Sequence, residues 1–231
     1  MTLLIFDCDG VLVDSEPIAN DILSETLTAL GRPMTAEECM RTQVGRSLAD
    51  ILRETSALVG RALPDGIGAA MNERLFARFR QELRAIDGVA ATLEALPQPR
   101  CLASSSRPER IDLALSVTGL ASYFERRFSA TQVARGKPAP DLFLLAAREM
   151  GVAAARAIVI EDSVAGVEAA RTAGMRAIGF VGGGHAGPDL GQRLATAGAV
   201  RVIAHMRDLP AAIAELQYDG RRSHHRATST T

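Results

Sequence analysis

Short apolar runs recur along this chain of 231 residues, and segments with a helical pattern separate them. A short and mostly apolar run is typical of a strand that is buried on both faces of a parallel sheet. The runs lie at 3–6, 100–103, 157–160, 177–181 and 200–204. Their alternation with helical segments predicts an α/β fold with a doubly wound parallel sheet.

Three of the helical segments end directly before a glycine. They span 107–118, 142–150 and 164–173, and they precede Gly119, Gly151 and Gly174. Glycine is favoured directly after a helix because the backbone there often takes a left-handed conformation. These glycines therefore mark helix ends and support the alternation of strands and helices.

The segment 16–84 has a different pattern. Amphipathic helical stretches occur at 18–30, 48–59 and 67–83, and no convincing strand lies between them. We therefore predict a helical domain at 16–84, inserted into a sheet domain formed by 1–15 and 85–217. Residues 218–231 are rich in Arg, Ser, Thr and His and lack apolar periodicity, which predicts a disordered tail.

The composition limits the class of protein. A net charge of −1 gives no bulk attraction to nucleic acid, and 47% hydrophobic residues suit a globular domain. No apolar stretch approaches the ~20 residues of a membrane span, and no basic region precedes the first strand as in a signal peptide. The three cysteines lack zinc-type spacing. We expect a reduced, cytoplasmic protein, monomeric or homodimeric, that binds neither nucleic acid nor membrane.

Acidic residues follow two of the predicted strands. Asp7 and Asp9 come after the first run, and Glu161 and Asp162 come after the third. The carboxyl ends of strands in an open parallel sheet are where ligands bind. If the backbone stays extended, the Asp7 and Asp9 side chains point the same way and repel each other unless a cation lies between them. This pattern predicts a Mg²⁺ site that Asp162 completes, with Glu161 as a direct or a water-mediated ligand.

Each acidic cluster also has a plainer interpretation. An isolated Asp-x-Asp is typical of a surface turn, but the apolar run directly before Asp7 favours a site. Asp162 and Ser163 could form an ordinary helix start before the segment 164–173. That interpretation is compatible with a metal site, because a carboxylate at a strand end can face an ion.

Lys137 is the only lysine among the 26 lysine and arginine residues of the chain. Its presence in a chain so biased toward arginine indicates that a compact ammonium group is needed there. An ammonium group would neutralise the charge shared by a phosphate and an attacking carboxylate. The alternative is a solvated surface lysine.

Three serines, Ser104, Ser105 and Ser106, follow the second predicted strand. Pro108 behind them suits the first turn of a helix. Hydroxyl and backbone N–H groups at such a helix start can hold a phosphate. A serine that only caps the helix is the alternative.

Together these residues resemble the four ordered motifs of the haloacid dehalogenase superfamily. The motifs match the segment 7–16, Ser104, the segment 136–141 and the segment 161–163, so that the resemblance covers all of the chain but its tail. The branch that contains β-phosphoglucomutase and small sugar-phosphate phosphatases is the most similar. The resemblance implies a Rossmann-like core with a small helical cap inserted after the first strand.

The resemblance also implies a role for each matching residue. Asp7 would be the nucleophile that forms an aspartyl-phosphate, and Asp9 would be the general acid/base whose backbone carbonyl binds Mg²⁺. Asp162, with Glu161, would anchor the metal. The phosphate would be bound by Cys8, through its backbone N–H, together with Gly10, Ser104, Ser105 and Lys137.

Two loops complete the resemblance. Val44-Gly45-Arg46-Ser47 resembles the cap loop that faces the active site in this branch. We expect Arg46 to contact a hydroxyl or carboxylate of the leaving group, with a solvent-facing arginine at a helix start as the alternative. The glycine run 182–184, followed by His185, predicts a mobile loop.

Departures from the superfamily narrow the predicted activity. Asp9 argues against a dehalogenase and against a P-type ATPase, and the absence of lysine from 16–84 argues against phosphonate hydrolysis. Ala19 replaces the histidine usual in β-phosphoglucomutases. We therefore predict a Mg²⁺-dependent phosphomonoesterase acting on a small phosphorylated metabolite, such as a sugar, polyol or sugar-acid phosphate. The alternatives are a β-phosphoglucomutase-type mutase and a catalytically silent ligand-binding protein on the same fold.

Overall fold

The computed structural model describes the backbone of residues 1–43 and 47–228, with side chains up to Tyr218. Within these ranges the chain forms a single sheet whose strands are β1 (Leu3–Phe6), β2 (Arg100–Ser104), β3 (Arg127–Ser129), β4 (Ala157–Glu161), β5 (Arg176–Phe180) and β6 (Arg201–Ile203). The α-helices of the same ranges are α1 (Glu16–Ala29), α2 (Ala36–Gln43), α3 (Leu48–Val59), α4 (Ile67–Glu82), α5 (Val89–Ala95), α6 (Pro108–Val117), α7 (Asp141–Glu149), α8 (Val164–Thr172), α9 (Leu190–Ala197) and α10 (Leu209–Thr228).

The strands are arranged in the order β3-β2-β1-β4-β5-β6, and every neighbouring pair is parallel. This confirms the predicted doubly wound, Rossmann-like sheet. The chain builds outward from β1 to β3 and then returns to add β4 on the other side of β1, so the direction of winding reverses between β1 and β4. Ligands of such sheets bind at this reversal, beside the carboxyl ends of the strands.

The sheet is covered on both faces, which explains the continuous apolar runs. Leu4 and Phe6 of β1 pack into the core on one face, whereas Leu3 and Ile5 pack into the core on the other. All four side chains are fully buried. A strand with two buried faces needs apolar residues at every position rather than at alternate ones.

Three glycines end helices as predicted. Gly119, Gly151 and Gly174 have φ angles of 72°, 67° and 72°, in the left-handed region. Each glycine directly follows the C-cap residue of its helix, which is α6, α7 or α8 respectively. The stops read from the sequence are therefore confirmed.

Strand β3 and helices α2, α9 and α10 were not predicted from the sequence. Strand β3 lies at the edge of the sheet and has the sequence Arg-Phe-Ser, which is too short for an apolar run. Helix α2 buries only Cys39 and Gln43, and α9 buries only Leu190 and Leu194. Elements with so few buried residues carry little periodicity.

The segment between β1 and α5 contains only helices among its described residues. Leu23, Leu27, Cys39 and Ile51 form a small core of their own. Helices α1 and α4 also pack side chains into the core on one face of the sheet. A cap domain with boundaries at 16 and 84 agrees with this arrangement and stays a prediction.

The end of the chain differs from the predicted disordered tail. Helix α10 begins at Leu209 and continues to Thr228, past the expected boundary at 218. Its first turns are fixed because Leu209, Ile213 and Leu216 are buried at helical spacing. Once a helix is nucleated, each further residue adds one hydrogen bond, so the helix extends into a polar sequence.

Two expectations from composition can be compared with the structure. The three cysteines are buried and free, and none of the helices within the described ranges is both long and apolar enough to cross a membrane.

Arg46, the predicted substrate contact of the cap, lies outside the described residues.

Candidate active site

Lys137 is buried between the ends of two central strands. Its Nζ donates hydrogen bonds to Oδ1 of Asp7 at 2.7 Å and to Oε1 of Glu161 at 2.6 Å. A third bond, of 3.2 Å, reaches the backbone oxygen of Ala103 in β2. The lysine side chain is 5% exposed, so it is not a solvated surface residue.

The charges around Lys137 favour its protonated form. Burial alone would lower the pKa of Lys137, but the charges of Asp7 and Glu161 outweigh this effect and raise it. For Asp7, burial raises the pKa well above its usual value, and the nearby ammonium opposes that rise. The lysine is therefore a fixed cation beside Asp7.

Three carboxylates meet beside this cation. Oxygen atoms of Asp7, Glu161 and Asp162 lie within 4.8 Å of one another, and all three residues are buried. Burying several anions in one place is costly unless cations compensate them. Lys137 supplies one positive charge for three carboxyl groups, so a further cation would help to balance the charge of the cluster.

The three carboxylates are not equally free to bind a cation. Oε1 of Glu161 accepts from Lys137, and its Oε2 accepts from the backbone N–H and the hydroxyl of Ser163 at 2.8 and 2.9 Å. Burial and the charge of Glu161 raise the pKa of Asp162 to about 6, although His185 opposes this rise. Asp7 and Asp162 are therefore better placed than Glu161 as oxygen ligands for a hard cation such as Mg²⁺.

Ser163 shows that a helix cap and a polar site coincide here. Its side chain accepts a hydrogen bond from the backbone N–H of Gly166 at 3.0 Å, which caps α8. A Cβ atom at Gly166 would lie 1.9 Å from Oε1 of Glu161. The first turn of α8 therefore needs glycine in order to pack against the buried carboxylate.

Asp9 lies in a separate polar environment. Its carboxylate accepts from the hydroxyls of Ser15 at 2.5 Å and Ser106 at 2.7 Å, and from Arg110 Nη2 at 2.8 Å. Burial would raise its pKa, but Arg110 and the two hydroxyls lower it below its usual value. These contacts therefore favour the ionised form of Asp9.

Asp7 and Asp9 have different hydrogen-bond partners. Because the backbone bends at Cys8, the extended geometry assumed for this segment is wrong. The Asp9 carboxylate is not part of the cluster around Asp7. The predicted role of Asp9 as a metal ligand concerns its backbone carbonyl and stays a prediction.

Arg110 was missed from the sequence. It extends from α6 to Asp9, and its guanidinium carbon lies 5.3 Å from the ring centre of Phe79 on α4. Arg110 therefore contacts both the acidic loop after β1 and helix α4 of the segment inserted between β1 and α5. No signal in the sequence distinguishes this arginine from the many others.

The serines after β2 have unequal surroundings. Ser104 is 1% exposed, and its hydroxyl accepts from the backbone N–H of Ser106 at 3.0 Å. Ser105 is exposed. Ser106, which received no separate role from the sequence, donates to Asp9. The structure thus places Ser104 at the end of β2, where Lys137 also reaches.

Cys8 and Gly10 shape the loop after β1. Cys8 is buried, and burial together with the charges of its acidic neighbours raises the pKa of its thiol, which keeps the thiol unreactive. Gly10 has a φ angle of 75°, and a Cβ atom there would lie 1.9 Å from Oδ2 of Asp162. Glycine is therefore required where the two acidic loops meet.

His185 was expected in a mobile loop, but the structure places it in the site. Its Nε2 lies 3.0 Å from Oδ2 of Asp162, and both side chains are 8% exposed. Burial would lower the pKa of His185, whereas the hydrogen bond and charge of Asp162 raise it. The loop is held because the backbone N–H of Gly184 donates to Asp14 Oδ1 at 2.8 Å.

The chain is similar to known hydrolases. The family model for haloacid dehalogenase-like hydrolases matches residues 1–174. The 6-phosphogluconate phosphatase of Escherichia coli is 30% identical, over 89% of this chain and 91% of that protein. The phosphorylated carbohydrates phosphatase of Thermotoga maritima is 33% identical, over 88% of this chain and 94% of that protein.

A solved structure agrees with these sequence relatives. A haloacid dehalogenase-like protein of unknown function from Agrobacterium tumefaciens superposes with a TM-score of 0.86. It is 41% identical, and the match covers 94% of this chain and 99% of that one.

Proposed function

The chain belongs to the haloacid dehalogenase-like hydrolases, and we propose that it is a Mg²⁺-dependent phosphomonoesterase acting through an aspartyl-phosphate. The observation that carries this proposal is the buried contact between Lys137 and Asp7 within the carboxylate cluster. A carboxylate held beside a fixed cation at the end of a central strand suits attack on phosphorus.

Asp7 is the proposed nucleophile. Its Oδ1 accepts a hydrogen bond from Lys137. Its Oδ2 accepts none from the described residues and is therefore the oxygen that attacks. Attack on the phosphoryl group forms a bond between Oδ2 and phosphorus and breaks the bond from phosphorus to the leaving oxygen. Lys137 neutralises the charge that the phosphoryl oxygens and the carboxylate share in the transition state.

Asp9 is the proposed general acid/base. A bound phosphate would add negative charge nearby and raise the pKa of Asp9, so that it could carry a proton to the leaving alkoxide. The ionised Asp9 that results takes a proton from water, which then attacks the aspartyl-phosphate and regenerates Asp7. Ser15, Ser106 and Arg110 hold the carboxylate in place for both steps.

Asp7, Asp162 and the backbone carbonyl of Asp9 are the proposed ligands of Mg²⁺. Their oxygen atoms, and the negative charge that Lys137 leaves uncompensated, fit a hard divalent cation. When bound, the ion neutralises charge on the transferring phosphoryl group. Glu161 is proposed to position Lys137 and the start of α8 rather than to bind the ion directly.

The proposed substrates are small sugar, polyol or sugar-acid phosphates. Two relatives at 30% and 33% identity are named for 6-phosphogluconate and for phosphorylated carbohydrates. A mutase is not favoured, because Ala19 of α1 offers a methyl group in place of the histidine expected there. The phosphate is proposed to bind beside Ser104, Ser105, Gly10 and the backbone N–H of Cys8.

The test is phosphate release from p-nitrophenyl phosphate and from a panel of phosphorylated sugars, polyols and sugar acids, with and without Mg²⁺. We expect Mg²⁺-dependent release by the native protein and none by Asp7→Asn. The exposed Asp65 provides a matched control, because Asp65→Asn should keep native activity. A native protein that releases no phosphate from any compound would contradict the proposal.

A further inference from the structure

The loop after β5 carries a histidine that faces the acidic cluster rather than solvent. We infer that His185 is a positioning residue, which fixes the orientation of the Asp162 carboxylate toward the metal site. This inference rests on the proposed function, since it assumes that Asp162 binds the cation. The 3.0 Å contact between His185 Nε2 and Asp162 Oδ2 carries it.

The contact is buried. Nε2 lies 3.0 Å from Oδ2, and both side chains are 8% exposed. Nδ1 of His185 is buried and has no hydrogen-bond partner among the described residues. The ring therefore meets Asp162 through Nε2.

The backbone of the loop is built to hold the ring there. Gly184 donates its N–H to Asp14 Oδ1 at 2.8 Å, and Ala186 donates its N–H to the carbonyl of Gly183 at 3.0 Å. A Cβ atom at Gly183 would lie 2.9 Å from the carbonyl oxygen of Gly10. The loop thus needs glycine at 183 to approach the acidic loop closely enough for His185 to reach Asp162.

Gly10 also approaches the same carboxylate oxygen closely. A Cβ atom at Gly10 would lie 1.9 Å from Oδ2 of Asp162 and 2.8 Å from Cε1 of His185. Gly10 and His185 therefore enclose this oxygen together. A carboxylate with one oxygen held in this way cannot rotate freely, so its direction toward Asp7 is fixed.

Residues that hydrogen-bond a metal ligand orient it, and their loss typically lowers metal affinity by about 10- to 100-fold. The effect of His185 should therefore appear mainly in metal binding. Neither Asp7 nor Lys137 forms a hydrogen bond or an ion pair with His185, so the phosphoryl-transfer step itself should change little at saturating Mg²⁺.

The test compares four variants with the native protein. His185→Ala and His185→Leu both remove the imidazole N–H groups. His185→Leu keeps most of the side-chain volume, so that it folds even if the cavity left by His185→Ala prevents folding. His185→Gln keeps an N–H donor. His205→Ala is the matched control, because His205 is exposed at the end of the neighbouring strand β6.

Mn²⁺ binding in the absence of substrate is measured by electron paramagnetic resonance, and the Mg²⁺ concentration for half-maximal phosphate release is measured in parallel. We expect His185→Ala and His185→Leu to weaken Mn²⁺ binding about 10-fold or more. His185→Gln should recover part of that loss, and His205→Ala should match the native protein.

Mn²⁺ binding by both donor-removing variants within about twofold of the native value would overturn the inference, as would tighter binding. Because Mn²⁺ binding needs no turnover, a native protein that binds Mn²⁺ but releases no phosphate would overturn the proposed function alone. In that case the ratio of the Mn²⁺ affinities would still decide the role of His185.

Discussion

The Nζ atom of Lys137 lies 2.7 Å from Oδ1 of Asp7, although the two residues are 130 positions apart in the chain. Lys137 belongs to the segment between β3 and α7, and its side chain reaches the place where β1 and β4 are neighbours and the winding of the sheet reverses. Glu161 at the end of β4 also binds the lysine. An ammonium group is thereby buried between carboxylates from two strand ends. The predicted properties of the site follow from this arrangement.

Lys137→Arg is predicted to lower kcat/KM for p-nitrophenyl phosphate by about 100-fold or more. The ammonium sits within hydrogen-bond distance of three oxygens and 4.9 Å from the ring centre of Phe143, and a larger planar guanidinium would change these contacts. Arg135→Lys is the control, since Arg135 is 71% exposed. Equal kcat/KM values for Lys137→Arg and the native enzyme would be incompatible with this role.

Lys137→Met is predicted to lower the free energy of unfolding by about 3 kcal/mol or more, because it leaves buried carboxylates without their cation. Urea unfolding followed by circular dichroism, in the presence of a chelator, measures the loss. The double variant Lys137→Met with Glu161→Gln should recover part of it. A stability equal to that of the native protein would show that the contact does not contribute to folding.

Arg110→Met is predicted to move the acidic limb of the pH profile of aspartyl-phosphate hydrolysis, the step in which ionised Asp9 takes a proton from water, to higher pH, as measured by rapid-quench kinetics. Arg110 helps to hold the pKa of Asp9 below its usual value, so its removal raises that pKa. Asp9 would then lose its ionised form at a higher pH as the solution is acidified, and the rate would fall earlier. Arg126→Met is the control and should leave the acidic limb unchanged, because Arg126 is an exposed arginine directly before the edge strand β3.

An unshifted acidic limb in Arg110→Met would mean that the ionisation of Asp9 does not control it. The same variant removes the contact with Phe79 of α4. Phe79→Leu tests that contact separately, because it keeps the ion pair between Arg110 and Asp9. The pH profile of Phe79→Leu should therefore keep the native limb.

Gly10→Ala is predicted to abolish activity at ordinary Mg²⁺ concentrations. The added Cβ atom would lie 1.9 Å from Oδ2 of Asp162 and would displace that carboxylate. Gly119→Ala is a matched control, because Gly119 has a similar φ angle of 72° but no atom within 4 Å of the added Cβ. It should cost about 1 kcal/mol of stability through backbone strain and leave kcat/KM unchanged.

If Gly10→Ala and Gly119→Ala lost activity to the same extent, backbone strain rather than the clash with Asp162 would be the cause. Thermal unfolding of both variants separates the two effects. Strain lowers the melting temperature of both, whereas the clash lowers activity in Gly10→Ala alone.

Much of the fold could be predicted because local signals were strong. The apolar run of β1 is buried on both faces, and Gly119, Gly151 and Gly174 end helices where left-handed backbone is needed. The order of the strands could not be predicted, since it depends on pairing between distant segments. The extension of α10 to Thr228 was missed because helix propagation, rather than apolar periodicity, continues it.

The parts of the site carried by strand ends could also be predicted. Asp7, Glu161 and Asp162 follow apolar runs directly, and the rarity of lysine singled out Lys137. Arg110 and His185 could not be found in this way. Arg110 reaches the site from a helix and His185 from a loop, and tertiary packing determines where that helix and that loop lie. Nothing in the sequence around either residue marks it as part of a site.

The most direct measurement is the trapping of a phosphorylated enzyme during turnover. The native protein is mixed with substrate and Mg²⁺, quenched in acid, digested and analysed by mass spectrometry, with a hydroxylamine-treated sample in parallel. The proposed mechanism predicts a phosphoryl group on Asp7 that hydroxylamine removes and that Asp7→Asn lacks. A phosphoryl group on another residue, or turnover without any on Asp7, would contradict it.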